Sequence, residues 1–367
     1  MGLKCGILGL TNTGKTTIFN CISKNKGEIT SFAFSASKSN MGMIDVPDPR
    51  LYEIDKLIKS LKIIPAVVEI VDVPGLAKGA SKGEGVGNKF LADIQQTDAL
   101  IHVIRCFDDD NLAHVEGSID PVRDIELVDF ELQIRDLELV DRKIQRLEKA
   151  AKTAGDKDAK QGIEVLNKYK DILSNLGNAR DVEIDEELHT KYVKDMLLLT
   201  DKPVLYVCNV DDKSAVNGNK YTDAVIKSFE GSDTEIMIVA GKLEAEIADF
   251  DNDEDREMFL EDAGLTEPGI NRMVRTAYKM LNLQSFFTAG PKEVRAWTIK
   301  KGMTAPQAAG VIHSDLERGF IRAEVMHYDD FINLKSEQAC KEKGKLFIEG
   351  KNYIVQDGDI IHVRFNV

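Results

Sequence analysis

The chain of 367 residues contains no run of about 18 apolar residues, the length that a membrane-spanning helix needs. Nine prolines and 27 glycines are too few for a collagen-like or low-complexity chain. The five cysteines (Cys5, Cys21, Cys106, Cys208 and Cys340) are scattered and odd in number, with no CxxC or Cys/His cluster. That pattern leads us to expect a reduced, cytoplasmic protein without structural zinc. The start, Met1-Gly2-Leu3-Lys4-Cys5-Gly6, lacks the apolar centre of a signal peptide, and Gly6 stands where myristoylation needs Ser or Thr. Positive charge is also short: 48 Lys and Arg face 62 Asp and Glu, a net −14. Such a chain does not bind nucleic acid indiscriminately. The deficit is uneven, because residues 283–367 carry a net +1 and the first 282 carry −15.

What is present is enough chain for two or three domains, at roughly 100–200 residues each. Over the first ~115 residues, short apolar runs alternate with polar or helical stretches, as in an α/β sheet. Cys5–Gly9, Ala66–Val73 and Ala99–Arg105 read as strands, and a helix is expected from Gly14 to about Ser23. Two more strands, Val204–Cys208 and Ile236–Val239, follow an interruption. The interruption is helical: Ile125, Val128, Leu132, Leu137, Val140, Ile144 and Leu147 recur at near-helical spacing. A second seam follows with Ile163, Leu166, Tyr169, Leu173 and Leu176, so an antiparallel hairpin is expected, with Lys149, Lys152, Lys157 and Lys160 at its tip. Beyond Gly290-Pro291 the texture becomes that of a small α+β domain. Val294–Ile299 and Ile321–His327 read as strands, Ala305–Leu316 as a helix, and Tyr353–Val367 as a hairpin turned at Asp357-Gly358-Asp359.

Three segments carry chemistry. Gly9-Leu10-Thr11-Asn12-Thr13-Gly14-Lys15-Thr16 matches G-x-x-x-x-G-K-[ST] between an expected strand and helix. There, backbone N–H groups and a helix N-terminus cradle phosphates, Lys15 meets the β- and γ-phosphates, and the Thr16 hydroxyl binds Mg²⁺. Asp72-Val73-Pro74-Gly75 ends a strand, which suits Asp72 to Mg²⁺ and the Gly75 N–H to a γ-phosphate. Asn209-Val210-Asp211-Asp212 has the N-x-x-D spacing of a base-reading loop, with Val210 in place of the lysine that packs along a base. Val239-Ala240-Gly241 would supply backbone beside it.

In this order the motifs resemble the YchF/Obg-like ATPase family along essentially the whole chain. The resemblance includes Gly79-Ala80-Ser81-Lys82-Gly83-Glu84-Gly85-Val86-Gly87-Asn88, Arg105-Cys106-Phe107, Asn111 and His114-Val115. In the C-terminal part it includes Lys292-Glu293-Val294-Arg295-Ala296-Trp297-Thr298, Ala305-Pro306-Gln307-Ala308-Ala309-Gly310 and Phe365-Asn366-Val367. It implies an α/β P-loop NTPase (G-domain) sheet with an inserted antiparallel helical hairpin and a C-terminal ubiquitin-like β-grasp (TGS) domain. The expected parts are residues 1–124 with 200–282, 125–199 and 283–367.

The implied activity is Mg²⁺-dependent hydrolysis of ATP to ADP by a ribosome-associated switch. The alternatives are a GTPase, or a nucleotide-gated ribosome- or RNA-binding protein whose hydrolysis is incidental. Asn12, Thr13, Gly14, Lys15, Thr16, Thr17, Gly75, Asn209, Val210, Asp212 and Gly241 are the expected nucleotide contacts, with Thr16 and Asp72 on the metal. Lys15 and His114 are the candidate catalytic residues; the plain alternative for His114 is an exposed loop histidine. It is considered because Leu76, which cannot orient a water, follows Asp72–Gly75. The expected partner is the ribosome, through its large subunit, with rRNA contacts from the C-terminal domain (Lys292, Arg295, Lys300, Lys301) and the hairpin tip. The chain departs from the family at Phe32-Ala33-Phe34-Ser35-Ala36-Ser37, where Ala36 replaces a threonine expected to reach Mg²⁺ and leaves Ser35, Ser37 or water to substitute. It also departs at Thr11 and Thr13, where proline and valine are usual, and at Asp212, where glutamate is.

Overall fold

A computed structural model describes residues 3–24, 40–73, 86–154, 156–250 and 252–366. The strands in chain order are β1 (Leu3–Leu8), β2 (Asn40–Asp45), β3 (Ile63–Ile64), β4 (Val67–Asp72), β5 (Ala99–Arg105), β6 (Val204–Asn209) and β7 (Glu235–Val239). Then come β8 (Leu283–Ala289), β9 (Val294–Lys300), β10 (Phe320–Met326), β11 (Phe347–Glu349) and β12 (Ile360–Phe365). The chain divides into two compact units, Met1–Met43 with Glu69–Ile270, and Ile44–Val68 with Asn271–Val367.

The first sheet has the order β2-β4-β1-β5-β6-β7, and β1, β5, β6 and β7 run parallel. Its central strands are continuous apolar runs because helices cover both faces of such a sheet; every residue of β5 is buried. Helix α1 (Lys15–Lys24) follows β1 and buries Ile18, Phe19 and Ile22. α2 (Pro49–Ile58) and α3 (Val86–Gln95) precede the long α4 (Pro121–Ala154) and α5 (Lys157–Ser174), which form the hairpin. The expected seam closes it: Val140 and Ile144 of α4 lie in one buried cluster with Val165, Leu166, Tyr169 and Leu173 of α5. Nearer the sheet, Val128 and Leu132 of α4 join a cluster with Leu91, Ile94 and Leu100. Asp136 then fixes the return of the chain, its carboxylate accepting from the Leu199 and Thr200 N–H groups (2.8 and 2.7 Å) and the Thr200 hydroxyl (2.7 Å). That bond set delivers β6, and with it Asn209, beside β5.

The second sheet has the order β11-β10-β12-β8-β9-β3. β8 and β9 form an antiparallel hairpin, the last strand β12 enters between β8 and β10, and it runs parallel to β8. With the helix Ala305–Ile312 on one face, this is a β-grasp arrangement. The expected helix to Leu316 breaks at His313, which is extended and caps a second short helix, Ser314–Arg318. The expected hairpin of Tyr353–Val367 does not form. Tyr353–Gln356 makes one isolated bridge, Ile354 to Thr304, and the turn serves to insert β12 into the sheet. Bonds to Ser285 of β8 hold the turn there: the Asp357 carboxylate accepts the Ser285 N–H at 3.0 Å, and the Gly358 N–H donates to the Ser285 carbonyl at 2.8 Å. Residues 44–68 add α2 and the two-residue β3 to this unit, with β3 parallel to β9 at the sheet edge.

Candidate nucleotide site

The loop between β1 and α1 turns on two glycines. Gly9 has φ +146°, and a Cβ there would stand 2.3 Å from the Val103 carbonyl oxygen of β5. Gly14 has φ +92°, and its Cβ would meet Asn209 Nδ2 at 2.2 Å. No other residue fits either place. Between them Asn12 takes the left-handed conformation (φ +61°), which asparagine tolerates. Thr13 is buried, its hydroxyl donating to the Leu10 carbonyl at 3.2 Å. Lys15, the first residue of α1, is buried and donates from Nζ to the same carbonyl at 2.5 Å. Burial lowers its pKa to about 8, against the opposing pull of Asp72. An ammonium so poorly hydrated gains strongly from an anionic phosphate.

Thr16 donates from its hydroxyl to Asp72 Oδ2 at 3.4 Å, which places side chains from the ends of two motifs 56 residues apart at one spot. A hydroxyl and a carboxylate are hard oxygen donors of the kind Mg²⁺ takes alongside substrate phosphates and water. Among the described residues there is no cluster of three or more His, Cys, Asp or Glu that could hold a metal by protein ligands alone. Thr17 is exposed one position further along α1. Gly75, Leu76, the 32–37 segment with Ser35, Ala36 and Ser37, and residues 79–85 lie outside the described residues.

Asn209, at the end of β6 and 5% exposed, joins two loops. Its Nδ2 donates to the Thr13 carbonyl (2.8 Å), and its Oδ1 accepts from Gly241 N–H (2.9 Å), the first residue of the helix Gly241–Ala248. The base loop is thereby fastened to the phosphate loop. Val210 donates its N–H to the Val239 carbonyl (2.9 Å) and buries its side chain in the core with Cys208 and Ala215. Asp212 is 40% exposed and pairs with Lys242 Nζ at 3.5 Å.

His114 is not an exposed loop histidine: its side chain is 4% exposed. Nδ1 accepts from the Glu116 N–H (3.1 Å), so Nε2 carries the proton of the neutral ring and donates to Asp124 Oδ2 (2.8 Å). Arg123 holds the other oxygen of Asp124 at 2.9 Å. The loop of His114 still reaches the phosphate loop, because Asn12 Nδ2 donates to the carbonyl of Ala113 at 3.0 Å. The structure therefore brings together Asn12, Thr13, Gly14, Lys15, Thr16, Asp72, Asn209 and Gly241. Three residues without an expected role also bear on the site: Lys242, Asp124 and Arg105. Only the short-range pattern Arg105-Cys106-Phe107 marked any of them in the sequence.

Comparison with known proteins identifies the family. A family described as "50S ribosome-binding GTPase" matches residues 4–168, and a YchF-GTPase C-terminal family, described as a protein of unknown function, matches residues 283–366. The chain is 50% identical over 368 residues to the "Ribosome-binding ATPase YchF" of Haemophilus ducreyi, with all of both chains covered. It is 46% identical over 369 residues to the protein of that name in Bacillus subtilis, again covering both chains. It is 40% identical over 370 residues to "Obg-like ATPase 1" of Rattus norvegicus, covering 99% of this chain and 92% of the relative. Among solved structures, the YchF GTPase of Schizosaccharomyces pombe superposes with a TM-score of 0.87 at 32% identity, covering 99% of this chain and 98% of the other. With the phosphate loop, the inserted hairpin and the β-grasp unit all in place, the chain belongs to the YchF/Obg-like ATPase family and is a P-loop NTPase.

Proposed function

We propose that the protein is a cytoplasmic, Mg²⁺-dependent ATPase that hydrolyses ATP to ADP and couples turnover to the large ribosomal subunit. The observation that carries the nucleotide part is the Asn209 bridge between Thr13 and Gly241, which makes one site of the phosphate and base loops. Thr16 and Asp72 would hold Mg²⁺, which supplies charge neutralisation at the β- and γ-phosphates. Lys15 binds those phosphates, Asn12, Gly14 and Gly75 would offer backbone N–H donors and Thr17 its hydroxyl around them, and His114 orients the attacking water; the Asn12 side chain is engaged by the Ala113 carbonyl. For that task His114 exchanges its bond to Asp124 for one to water.

Adenine preference is supported by the base loop. Guanine presents two adjacent donors, N1–H and N2–H, to a carboxylate, whereas one oxygen of Asp212 is engaged by Lys242. Val210 commits its side chain to the core and its N–H to Val239, so a base would meet the second Nδ2 hydrogen of Asn209 and backbone carbonyls near Val210. A GTPase is the second reading, favoured by the N-x-x-D spacing of Asn209 and Asp212. Calorimetry of non-hydrolysable ATP and GTP analogues with Mg²⁺ decides: ATP is expected to bind tighter, and a tenfold preference for GTP, ~1.4 kcal/mol, overturns this reading.

The ribosomal part rests on the names of the relatives and on charge. Lys292, Lys300 and Lys301 are exposed on residues 283–367, which carry a net +1, and Lys149, Lys152, Lys157 and Lys160 are exposed at the hairpin tip. Arg295 instead stacks over Trp297, 3.8 Å from the ring centre. The functional parts we assign are residues 1–124 with 200–282 for the nucleotide, and 125–199 and 283–367 for rRNA. Co-sedimentation with ribosomes should weaken steeply with salt and with Lys292→Glu, Lys300→Glu and Lys301→Glu combined. Salt-insensitive pelleting that the triple variant leaves unchanged refutes the contact.

A further inference from the structure

Arg105 has no task in the reading above, yet it is the largest fully buried side chain among the described residues, 1% exposed at the end of β5. Taking a guanidinium out of water costs several kcal/mol unless its donors are met. Here each of the three nitrogens finds an acceptor in one loop. Nε donates to the Phe107 carbonyl (3.2 Å), Nη2 to that of Asp109 (3.1 Å) and Nη1 to that of Leu112 (2.8 Å). The Phe107 ring lies against the same group, its centre 4.9 Å from the guanidinium carbon. Among the described residues Arg105 has no ion-pair partner, so its charge is spent on the shape of residues 107–112.

That loop is bonded at both ends to the nucleotide site. At its root the Cys106 N–H donates to the Asn209 carbonyl (2.8 Å), and the Cys106 carbonyl accepts from Asn219 Nδ2 (2.8 Å). At its far end the Ala113 carbonyl accepts from Asn12 of the phosphate loop, and His114 is the next residue. We propose that Arg105 is a positioning residue for phosphoryl transfer: its fork sets the path of residues 107–112, and the Asn12–Ala113 bond then sets His114 against the phosphate loop. This rests on the nucleotide-site reading. Only arginine serves, because three divergent carbonyls need a planar fork, and a lysine ammonium is a point charge.

The test uses the full chain with Arg105→Lys, Asn12→Gly and both. Glycine suits φ +61° and removes only the side-chain donor, so Asn12→Gly keeps the test open where Arg105→Lys lowers folding yield. Hydrogen exchange of the 107–114 amides should quicken at least tenfold in Arg105→Lys. Each single variant should lose at least tenfold in kcat for Mg²⁺-ATP while the Kd of a non-hydrolysable ATP analogue stays within threefold. The double variant should fall no more than about threefold below the worse single one, because both release the same loop. Unchanged exchange overturns the clamp. Wild-type kcat in Asn12→Gly, losses that multiply, or parallel losses of binding and turnover overturn the positioning role. A wild-type chain without any NTPase turnover refutes the nucleotide reading instead, and the exchange data then decide the clamp by themselves.

Discussion

Asn209→Ala isolates the bond on which the site depends. The side chain is 5% exposed and makes two hydrogen bonds, to the Thr13 carbonyl at 2.8 Å and from the Gly241 N–H at 2.9 Å. Alanine deletes both partners at once and leaves a buried acceptor and a buried donor unmatched. Each such orphan costs about 1–3 kcal/mol, so the variant should be destabilised by roughly 2–6 kcal/mol, toward the lower end if water enters the space. Asn209→Asp separates the two bonds. It keeps an acceptor for Gly241 but sets a second acceptor against the Thr13 carbonyl, so it should be at least as damaging as alanine. Urea unfolding gives the stability change, and calorimetry of a non-hydrolysable ATP analogue gives the cost to binding. If Asn209→Ala lies within about 0.5 kcal/mol of wild type and binds nucleotide equally well, the two loops are not held together by this residue and the reasoning fails.

Lys15→Ala and Thr16→Ala should each cut Mg²⁺-ATP turnover by at least tenfold, the second also weakening the Mg²⁺ dependence; normal binding and hydrolysis in Lys15→Ala would sink the site. His114→Ala should slow turnover while leaving analogue affinity within threefold, and wild-type kcat in steady-state assays dismisses it as the water-orienting group. His102 in β5 is buried, and desolvation first, then the charges of Lys15 and Arg180, lower its pKa to about 3. An unfolded histidine titrates near 6.5, so the unfolded chain takes up a proton that the folded one refuses between those values. The stability His102 leaves intact above about pH 6.5 is lost as pH falls, by ~1.4 kcal/mol per unit. Asp129 and Asp136, raised to about 6 by burial, act in the opposite sense between about pH 4 and 6. The difference in unfolding free energy between wild type and His102→Leu, measured from pH 7 to 4.5, removes their share; a flat difference contradicts the buried neutral ring.

The phosphate loop, the strand Ala99–Arg105 and the helical hairpin were legible in the sequence because each is written in near neighbours. Glycines at fixed offsets set backbone angles, a continuous apolar run marks a strand buried on both faces, and steps of three and four mark a helix seam. The observed bounds of β5 match those expected, and Val140, Ile144, Leu166, Tyr169 and Leu173 close the seam. Other features depended on partners far along the chain. β3 and β11, of two and three residues, are too short for any periodicity and exist only because β9 and β10 offer an edge. Tyr353–Val367 carries a hairpin pattern, yet β12 pairs with β8 and β10 and the turn before it bonds to Ser285. Residues 44–68 look like part of the first domain by order alone, and packing gives them to the second compact unit. Within the proposed site, the sequence marked the candidate residues. The tertiary structure decided which of them meet: Asn209 reaches Thr13 across 196 residues, His114 turns inward to Asp124, and Arg105 spends its charge on a loop. Spacing encodes only what the backbone can bring together within a turn or a strand; the rest is fixed when buried polar groups must find partners wherever the fold provides them.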